Sequence, residues 1–425
     1  MFDLDRWTEI FSALKKNKLR SFLTAFGVFW GIFMLMILAG AGNGLQNGVQ
    51  HGMKSFATNS CFVWTDPTSK PYKGFKRGRR WEFDNTDNEY LRQKVDKIEY
   101  MAPRLFGWNL RTGDNTIRGK HTGSFTIMGD YPVYNNIDPH DLLKGRFINE
   151  IDIKEKRKVC VIGTRVEELM FEKDENPIGQ YLKVMGIYYQ VVGVHDPENP
   201  NVNFGGRKEE TIYLPFTTMQ QAYNYGNEVH FYAITAKKGN NVAEMEKEII
   251  TLLKKRHSIH PDDSQAVAHV NVEKQVKQMD MLFMGINILV WIVGVGTLLA
   301  GVIGVSNIML VIVKERTQEI GIQRALGATP GRIIGQIMLE SVFLTTLAGY
   351  IGLSLGVFLL AGVNSLLDSI RASGNGDNLF IRDVEVDLTL ALISLTVLII
   401  AGLFAGLIPA RRAIQIKPID ALRDE

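Results

Sequence analysis

Several common functional signatures are missing from this 425-residue sequence. It has only two cysteines, Cys61 and Cys160, and neither a CxxC motif nor a Cys/His cluster, which argues against a structural zinc site. No G-x-x-x-x-G-K-[ST] phosphate loop occurs, so the sequence has no Walker-type nucleotide site of its own. Residues 44–280 contain no GxSxG or HExxH motif, and the histidines there are scattered. We therefore predict no catalytic residue, no metal site and no bound cofactor.

The sequence also lacks a strong net charge. Its 48 lysines and arginines against 45 acidic residues give a formal charge of +3, which argues against a large basic surface for nucleic acid. Hydrophobic residues make up 46% of the chain, a share that a water-soluble protein can have. This average conceals a strong segregation, because most of the apolar residues fall in four stretches and the rest of the chain is polar.

These four stretches are almost free of charged side chains. About 20 apolar residues in a helix cross the roughly 30 Å hydrocarbon core of a bilayer. Four such stretches rarely serve one water-soluble core, so they predict four transmembrane helices. The stretches are residues 21–50, of which 22–41 are strongly apolar, residues 281–313, residues 333–367, interrupted only by Glu340, and residues 388–410.

The second stretch is longer than a bilayer requires. Residues 281–313 as a helix would extend roughly 50 Å at 1.5 Å per residue, which exceeds the bilayer even with tilt. We predict that its outer part projects from the membrane as a stalk.

Positive charges are distributed unevenly beside these stretches. Residues 1–20 have five lysines and arginines, residues 314–332 have four and residues 411–425 have four, against two in residues 364–387. Positive residues favour the cytoplasmic side. This predicts an inner-membrane protein with both termini and the 314–332 turn in the cytoplasm, and with residues 44–280 outside.

The predicted fold class is an α-helical membrane protein with four spans and a large mixed α/β extracytoplasmic domain. The predicted segments are a cytoplasmic amphipathic helix (1–20), the first span (21–43), the extracytoplasmic domain (44–280), the stalk and second span (281–313), a cytoplasmic turn (314–332), the third span (333–363), an outer loop (364–387), the fourth span (388–410) and a cytoplasmic tail (411–425).

The N-terminal segment allows two interpretations. Residues 39–41 read Ala-Gly-Ala, the small-residue pattern of a signal-peptidase site. However, the apolar stretch is longer than a usual signal peptide requires. Leu4, Trp7, Phe11 and Leu14 recur at helical spacing before it, which favours an amphipathic helix on the membrane surface.

Residues 44–280 are predicted to mix helices and strands. A domain of this size can bury its own core and can divide into two lobes. Thr86 or Asp87 is predicted to start one helix, and capping-box pairs Thr164/Glu167 and Asn241/Glu244 are predicted to start two more. Strand-like runs cover residues 158–162, 181–195, 210–214 and 230–236, and residues 196–206 should form a loop.

Basic and aromatic residues alternate between residues 70 and 81. One interpretation is a solvated loop, and the other is a contact site for an acidic partner, lipid headgroups or a substrate. Nucleic acid also suits this composition, but the predicted location argues against it. The candidate contact residues are Lys73, Phe75, Lys76, Arg77, Arg79, Arg80 and Trp81.

The two cysteines share the predicted extracytoplasmic side, where disulfides persist. The sequence leaves open whether Cys61 and Cys160 pair.

The predicted cytoplasmic turn has clear helix signals. The second span should continue as a helix until Gly327 stops it with a left-handed cap. Thr329 is then a good N-cap, with Pro330 at the first helical position of the third span. Glu340 lies about two turns further on, and we expect it to pair with Arg332 or Arg324.

Three ordered parts of the sequence carry a family resemblance. Residues 314–330 read KERTQEIGIQRALGATP, residues 17–24 read NKLRSFLT and residues 406–413 read GLIPARRA. Together they closely resemble the MacB/FtsX-type ABC transporter permeases, the mechanotransmission class. Shorter stretches resemble the extracytoplasmic domain of that family, namely residues 143–147 (LKGRF), 161–163 (VIG), 177–179 (PIG) and 191–194 (VVGV).

The resemblance implies a permease that is not itself an enzyme, paired with a second copy or a related permease. MacB itself has a fused N-terminal ATPase, whereas this sequence begins close to the first span, so a separate ABC ATPase is expected to bind ATP and Mg²⁺. In the family the cytoplasmic turn docks on that ATPase. The docking residues implied here are Lys314, Glu315, Arg316, Glu319, Gly321, Arg324 and Gly327.

The expected function is efflux of antibiotics or peptides with a periplasmic adaptor and an outer-membrane channel. Closure of the ATPase would push the turns together, and the long second helix would act as a lever on the outer domain. The spans have almost no midplane charge, which argues against a polar channel through them. Lipoprotein release, control of a cell-wall hydrolase and a non-transporting sensor or scaffold are the alternatives.

Overall fold

A computed structural model describes residues 18–51, 56–107, 113–197, 205–372, 381–386 and 388–415. The chain divides into a helical unit, made of residues 1–49 and 281–425, and an α/β unit, made of residues 50–280. Most of the predicted amphipathic helix, residues 1–17, and most of the predicted tail, residues 416–425, lie outside the described residues.

Within the described residues, the helical unit contains four helices that are long and apolar enough to cross a membrane. Together with the mixed α/β unit, they confirm the predicted fold class. The longest has 44 residues and is therefore roughly 66 Å long. The four are α1 (Lys18–His51), α7 (Val272–Glu315), α9 (Pro330–Ala372) and α10 (Leu388–Ala413), and the short helix α8 (Thr317–Ala325) separates α7 from α9.

Glycines allow these helices to pack closely. A Cβ atom on Gly352 of α9 would lie 2.6 Å from the Phe29 carbonyl oxygen of α1. A Cβ atom on Gly406 of α10 would lie 3.2 Å from the Cα of Met338. Small residues at helix contacts are typical of membrane proteins, where lipid tails remove the hydrophobic drive and close packing must replace it.

The α/β unit is built on one large mixed sheet. Its strand order is β14-β1-β13-β3-β6-β11-β8-β10-β9-β4-β5, with β7 paired to β10, and β2 and β12 form a separate pair. The pairs β8/β10 and β6/β11 are parallel and the others are antiparallel. The strands are β1 (Ser60–Thr65), β2 (Phe83–Asp84), β3 (Ile98–Phe106), β4 (Thr116–Arg118), β5 (His121–Gly123), β6 (Thr126–Asp130), β7 (His140–Gly145), β8 (Val159–Gly163), β9 (Tyr181–Val184), β10 (Ile187–Pro197), β11 (Thr211–Pro215), β12 (Glu228–Val229), β13 (Phe231–Ala236) and β14 (Val267–Asn271).

Five helices pack with this sheet around one continuous cluster of buried apolar side chains. The longest, α6, directs Val242, Met245, Ile249 and Leu253 into the core at helical spacing. The helices are α2 (Asn85–Lys94), α3 (Glu150–Lys154), α4 (Thr164–Met170), α5 (Phe216–Ala222) and α6 (Val242–Arg256). The described residues of the unit also include the 3₁₀ turns Pro132–Asn136 and Lys208–Glu210.

The helix starts differ in part from the sequence predictions. Helix α2 begins one or two residues early because the Asp84 carboxylate accepts hydrogen bonds from the Thr86 and Asp87 amides. The predicted capping box at Thr164 is wrong, since Gly163 is the N-cap and no side chain caps α4. Asn241 is the N-cap of α6 as predicted, and its side chain accepts from the Ala243 amide, but this bond is not the predicted capping box with Glu244.

Runs 158–162, 210–214 and 230–236 are confirmed as β8, β11 and β13, each within one residue of the predicted bounds. The run 181–195 instead splits into β9 and β10. Met185 and Gly186 between them have φ values of 44° and 86°, as in the type I′ turns that close two-residue hairpins.

The glycines of three family-like stretches meet around β10. A Cβ atom on Gly145 or on Gly193, which pair across β7 and β10, would lie 2.2 Å from a backbone carbonyl oxygen of the opposite stretch. A Cβ atom on Gly163 would lie equally close to the Glu209 carbonyl oxygen. These positions exclude any side chain because the backbones approach too closely.

The two cysteines do not pair. Cys61 lies on β1 and Cys160 on β8, both are buried free thiols, and burial raises the pKa of each. Strands β13, β3, β6 and β11 lie between β1 and β8 in the sheet. Five strand spacings of about 4.8 Å separate the thiols by roughly 24 Å, far beyond disulfide reach.

Candidate functional site

The turn between the second and third spans contains a break that the sequence did not predict. Helix α7 ends at Glu315 and α8 begins at Thr317, so the predicted continuous helix up to Gly327 is wrong. Arg316 between them has φ −96° and ψ 15°. The Thr317 hydroxyl donates to the Lys314 carbonyl oxygen at 2.7 Å, and such local bonds commonly bend helices.

The end of α8 follows the prediction. Gly327 has φ +95°, its amide donates to the Arg324 carbonyl oxygen, and the Ala328 amide donates to the Gln323 carbonyl oxygen. This pair of bonds is a Schellman motif. Helix α9 then begins at Pro330, as predicted.

One face of α8 is exposed and partly apolar. Ile322 is 46% exposed and Leu326, its C-cap residue, is 84% exposed. Glu319 lies one turn before Ile322 and is also exposed, whereas Ile320 and Gly321 are buried. The exposed positions are Gln318, Glu319, Ile322, Ala325 and Leu326.

The seven predicted docking residues therefore divide into three groups by exposure. Lys314, Glu315, Glu319 and Gly327 are exposed, whereas Gly321 is buried. Arg316 and Arg324 are partly buried. Arg324 donates to the Ile414 carbonyl oxygen at 2.8 Å and so ties α8 to the segment after α10.

Sequence reasoning missed the exposed apolar residues Ile322, Ala325 and Leu326. The available signal was spacing: Ile322 lies four and three residues after Gln318 and Glu319, and Ala325 and Leu326 lie three and four residues after Ile322, so these residues share one face of a helix.

A polar cavity of about 180 Å³ lies beneath α8, between α7 and α9. The Arg316 guanidinium reaches Glu340 of α9 at 3.5 Å and Glu319 of α8 at 3.7 Å. The sequence predicted that Glu340 pairs with Arg332 or Arg324, whereas in the structure its carboxylate forms an ion pair with Arg316. Arg324 instead bonds the Ile414 carbonyl oxygen.

The candidate contact residues 73–81 do not form one surface. Lys73, Phe75, Lys76, Arg77 and Arg80 are exposed. Trp81 is buried, and its indole N–H donates to two backbone carbonyl oxygens at 3.1 Å. Arg79 is half-buried and donates to the His257 carbonyl oxygen.

The α/β unit also has a buried polar cluster that sequence reasoning missed. Arg104 forms a bidentate ion pair with Asp130, with N–O distances of 2.5 and 2.7 Å. Lys208 pairs with Asp138 at 2.7 Å. The partners are 26 and 70 residues apart in sequence, so no local pattern marks them.

Two histidines lie against this cluster. The rings of His140 and His195 are 4.8 Å apart between centroids, and both contact the ring of Tyr213. Burial lowers the pKa of both, that of His195 to about 3, and the positive charge of Lys208 lowers them further. Both imidazoles are therefore neutral at pH 7.

We expect this pair to make the α/β unit sensitive to acid. The unfolded histidines bind protons below about pH 6.5, whereas the folded ones resist protonation, so stability is full above pH 6.5 and falls as pH decreases. Between pH 7 and 5, the free energy of unfolding of the double variant His140→Phe/His195→Phe should fall by about 2–4 kcal/mol less than that of the wild type. Chemical unfolding at several pH values measures this, with His121→Phe, a partly exposed histidine, as control. Equal acid sensitivity in all three proteins would contradict the prediction.

Comparisons with known proteins agree with this architecture. Residues 21–252 match the family model of the MacB-like periplasmic core domain, and residues 291–418 match that of the FtsX-like permease C-terminal region. The chain is 26% identical over 412 residues to the pyoverdine export ATP-binding/permease protein PvdT of Pseudomonas entomophila, covering 96% of this chain and 58% of that protein. It is 27% identical over 435 residues to the macrolide export ATP-binding/permease protein MacB of Neisseria meningitidis serogroup A, covering 100% of this chain and 62% of that protein.

Among solved structures, the periplasmic region of MacB from Actinobacillus actinomycetemcomitans matches with a TM-score of 0.42 and 17% identity. That match covers 54% of this chain and 95% of that one. The chain spans about three fifths of the length of the curated relatives that it matches. The two family models together cover both units, and the chain belongs to the MacB/FtsX-type family of ABC transporter permeases.

Proposed function

We propose that this chain couples ATP hydrolysis, carried out by a nucleotide-binding domain outside these 425 residues, to movement of its α/β unit. The observation that carries the proposal is the exposed face of α8. This short helix joins two spans and presents Ile322, Leu326 and Glu319 outward. Exposed apolar residues among charged ones are typical of a protein contact site.

The fixed ends of α8 support this role. The Schellman motif at Gly327 and the Arg324–Ile414 hydrogen bond hold one end of the helix, and Arg316 contacts α9 at the other. A load applied to the exposed face is therefore passed to α7 and α9 rather than absorbed by a loose loop. In this proposal α8 lies in the cytoplasm, as the distribution of positive charges favours.

The proposed work takes place in the α/β unit, on the outer side of the membrane. Residues 281–313, 333–367 and 388–410 contain a single charged residue, Glu340, so they offer little to a polar cargo. Relatives named for macrolide and pyoverdine export support export of a small compound. In this proposal a periplasmic adaptor and an outer-membrane channel are further partners.

The test is purification of the tagged chain in mild detergent from its native membrane. We expect a P-loop ATPase in about a one-to-one ratio, with its activity dependent on the chain. The double variant Ile322→Asp/Leu326→Asp should lower recovery or stimulation of the ATPase by about tenfold or more, because it places charge in an apolar contact. The matched control is Leu143→Asp, an exposed leucine of β7.

Equal ATPase recovery and stimulation in both variants would contradict the assignment of α8. A chain that purifies from several detergents with no ATPase activity would contradict the coupling proposal as a whole.

A further inference from the structure

Residues 68–81 form a hairpin-shaped loop, here called the basic hairpin, which is closed at its tip by an isolated β-bridge between Tyr72 and Phe75. At its base the Thr68 amide donates to the Arg79 carbonyl oxygen at 3.0 Å, and the Gly78 amide donates to the Thr68 carbonyl oxygen at 2.7 Å. At its tip Tyr72 and Phe75 exchange two backbone bonds of 3.1 and 2.9 Å. Lys73 and Gly74 between them have φ values of 46° and 85°, which indicates a type I′ turn.

The α/β unit holds the base of this hairpin firmly. The Asp263 carboxylate accepts hydrogen bonds from the Ser69 amide, the Ser69 hydroxyl and the Lys70 amide at 2.8, 2.7 and 3.1 Å. Burial acts to raise the pKa of Asp263, but these hydrogen bonds outweigh it and lower the pKa to about 2. The buried Trp81 fixes the returning strand through its two indole hydrogen bonds. The hairpin is therefore a defined element rather than a solvated loop.

The hairpin concentrates positive charge that the described part of the chain does not neutralise. Five exposed cations lie between residues 70 and 80, and in the described part of the chain none of them forms an ion pair. Burial raises the pKa of Glu82, and its electrostatic interaction with Arg80 acts to lower that pKa. Like charges so close repel one another and destabilise the folded chain, so stability does not account for their clustering here. The five are Lys70, Lys73, Lys76, Arg77 and Arg80.

An aromatic ring stands among these charges. Phe75 is 48% exposed, and the Arg79 guanidinium lies 4.1 Å from its ring centre. This stacking orients the ring without burying it. A fixed aromatic residue surrounded by cations offers both the apolar contact and the charge that a protein interface uses.

Within the α/β unit, the hairpin lies at one end of β1 and the two chain connections lie at the other, which argues for a partner in solution over lipid. It leaves β1 after Thr65, whereas both chain connections to the helical unit are at the other end of the strand. There Ser60 begins β1 and Asn271, which pairs with Cys61, leads into α7. Six residues of β1 separate the two ends by roughly 20 Å.

We propose that the basic hairpin is a docking element for an acidic surface of a water-soluble protein. Phe75 makes the apolar contact, and Lys73, Lys76 and Arg77 contact carboxylates of the partner. The proposal is independent of α8 and of the ATPase, so it can fail while the coupling proposal stands.

The test uses the full chain in neutral detergent and a short fluorescein-labelled peptide rich in glutamate, with its glutamine counterpart as control ligand. Fluorescence anisotropy should detect binding of the glutamate peptide that weakens at high salt. The triple variant Lys73→Glu/Lys76→Glu/Arg77→Glu should bind about tenfold more weakly, since three charge pairs become repulsive. Phe75→Ala should weaken binding at high salt as well, where charge is screened.

The matched control reverses three exposed lysines elsewhere on the same unit, Lys237, Lys238 and Lys277. It should leave peptide binding unchanged. Equal losses in the two triple variants would overturn the proposal, because binding would then follow overall charge alone. Chain held in phosphatidylcholine nanodiscs should not float with vesicles that contain phosphatidylglycerol. Flotation that depends on the hairpin would overturn the proposal in favour of a lipid surface.

Discussion

Replacing Arg104 by methionine is expected to destabilise the α/β unit by about 3–5 kcal/mol, because the variant leaves the buried Asp130 without its partner. Arg104 is 2% exposed and Asp130 is fully buried. Their bidentate contact links β3 to β6, and the guanidinium also lies 3.6 Å from the ring centre of Tyr134. Hydrogen exchange of β3 and β6 in the detergent-solubilised chain would measure the loss.

The stability lost by the Arg104→Met variant should depend on pH in a defined direction. Burial raises the pKa of Asp130 even beside Arg104. Without the guanidinium this carboxyl group will take up a proton more readily, so the Arg104→Met variant should lose least stability at acid pH and most at alkaline pH.

Two controls separate the buried pair from ion pairs in general. The double variant Arg104→Met/Asp130→Leu should regain most of the lost stability, because it removes both charges. Arg165→Met breaks the exposed pair with Glu168, 2.8 Å apart, and should cost at most about 1 kcal/mol. A double variant no more stable than Arg104→Met would show that packing, rather than the unpaired charge, causes the loss.

The second large effect is expected at the helix break. Arg316→Ala should leave the ATPase bound but lower its stimulation by the chain by about tenfold, because α8 loses its charged contact with α9. Arg316 reaches Glu340 at 3.5 Å, and Glu340 is 2% exposed. The ratio of recovered ATPase to chain, measured beside the ATPase rate, separates docking from coupling.

Arg332→Ala is the matched control, since this exposed arginine is also near the start of α9. It should leave both quantities unchanged. The charge exchange Arg316→Glu/Glu340→Arg should restore part of the stimulation. Loss of the ATPase itself from Arg316→Ala would instead place Arg316 in the docking surface, as the family resemblance implies.

The sequence predicted the four spans and the end of α8 because each depends on local composition. A long uncharged run needs no partner to be recognised, and Gly327 followed by Pro330 sets a helix end through backbone geometry alone. The partner of Glu340 depends instead on how α7, α8 and α9 rotate about their axes. The break at Arg316 sets that rotation, and no pattern in the sequence predicted the break.

In the candidate sites, too, local sequence predicted some features, whereas contacts between residues distant in sequence could not be predicted. Alternating basic and aromatic residues suggested a contact site, yet the sequence did not indicate that Trp81 and Arg79 would turn inward and hold the base of a hairpin. The Arg104–Asp130 and Lys208–Asp138 pairs join strands and turns that are distant in sequence. Their partners become identifiable only when the sheet order is known.

The pairing of β1 with β14 determines which forces the α/β unit can withstand. Both strands connect to the membrane helices at the same end, beside the Cys61–Asn271 pair. A force that pulls those connections apart acts first on the hydrogen bonds nearest that end, so the β1–β14 hydrogen bonds break one after another. A force that moves both connections in the same direction puts no strain on these hydrogen bonds, so the sheet moves as a rigid body. Under the coupling proposal, helices α1 and α7 therefore move the unit by shifting together as a pair.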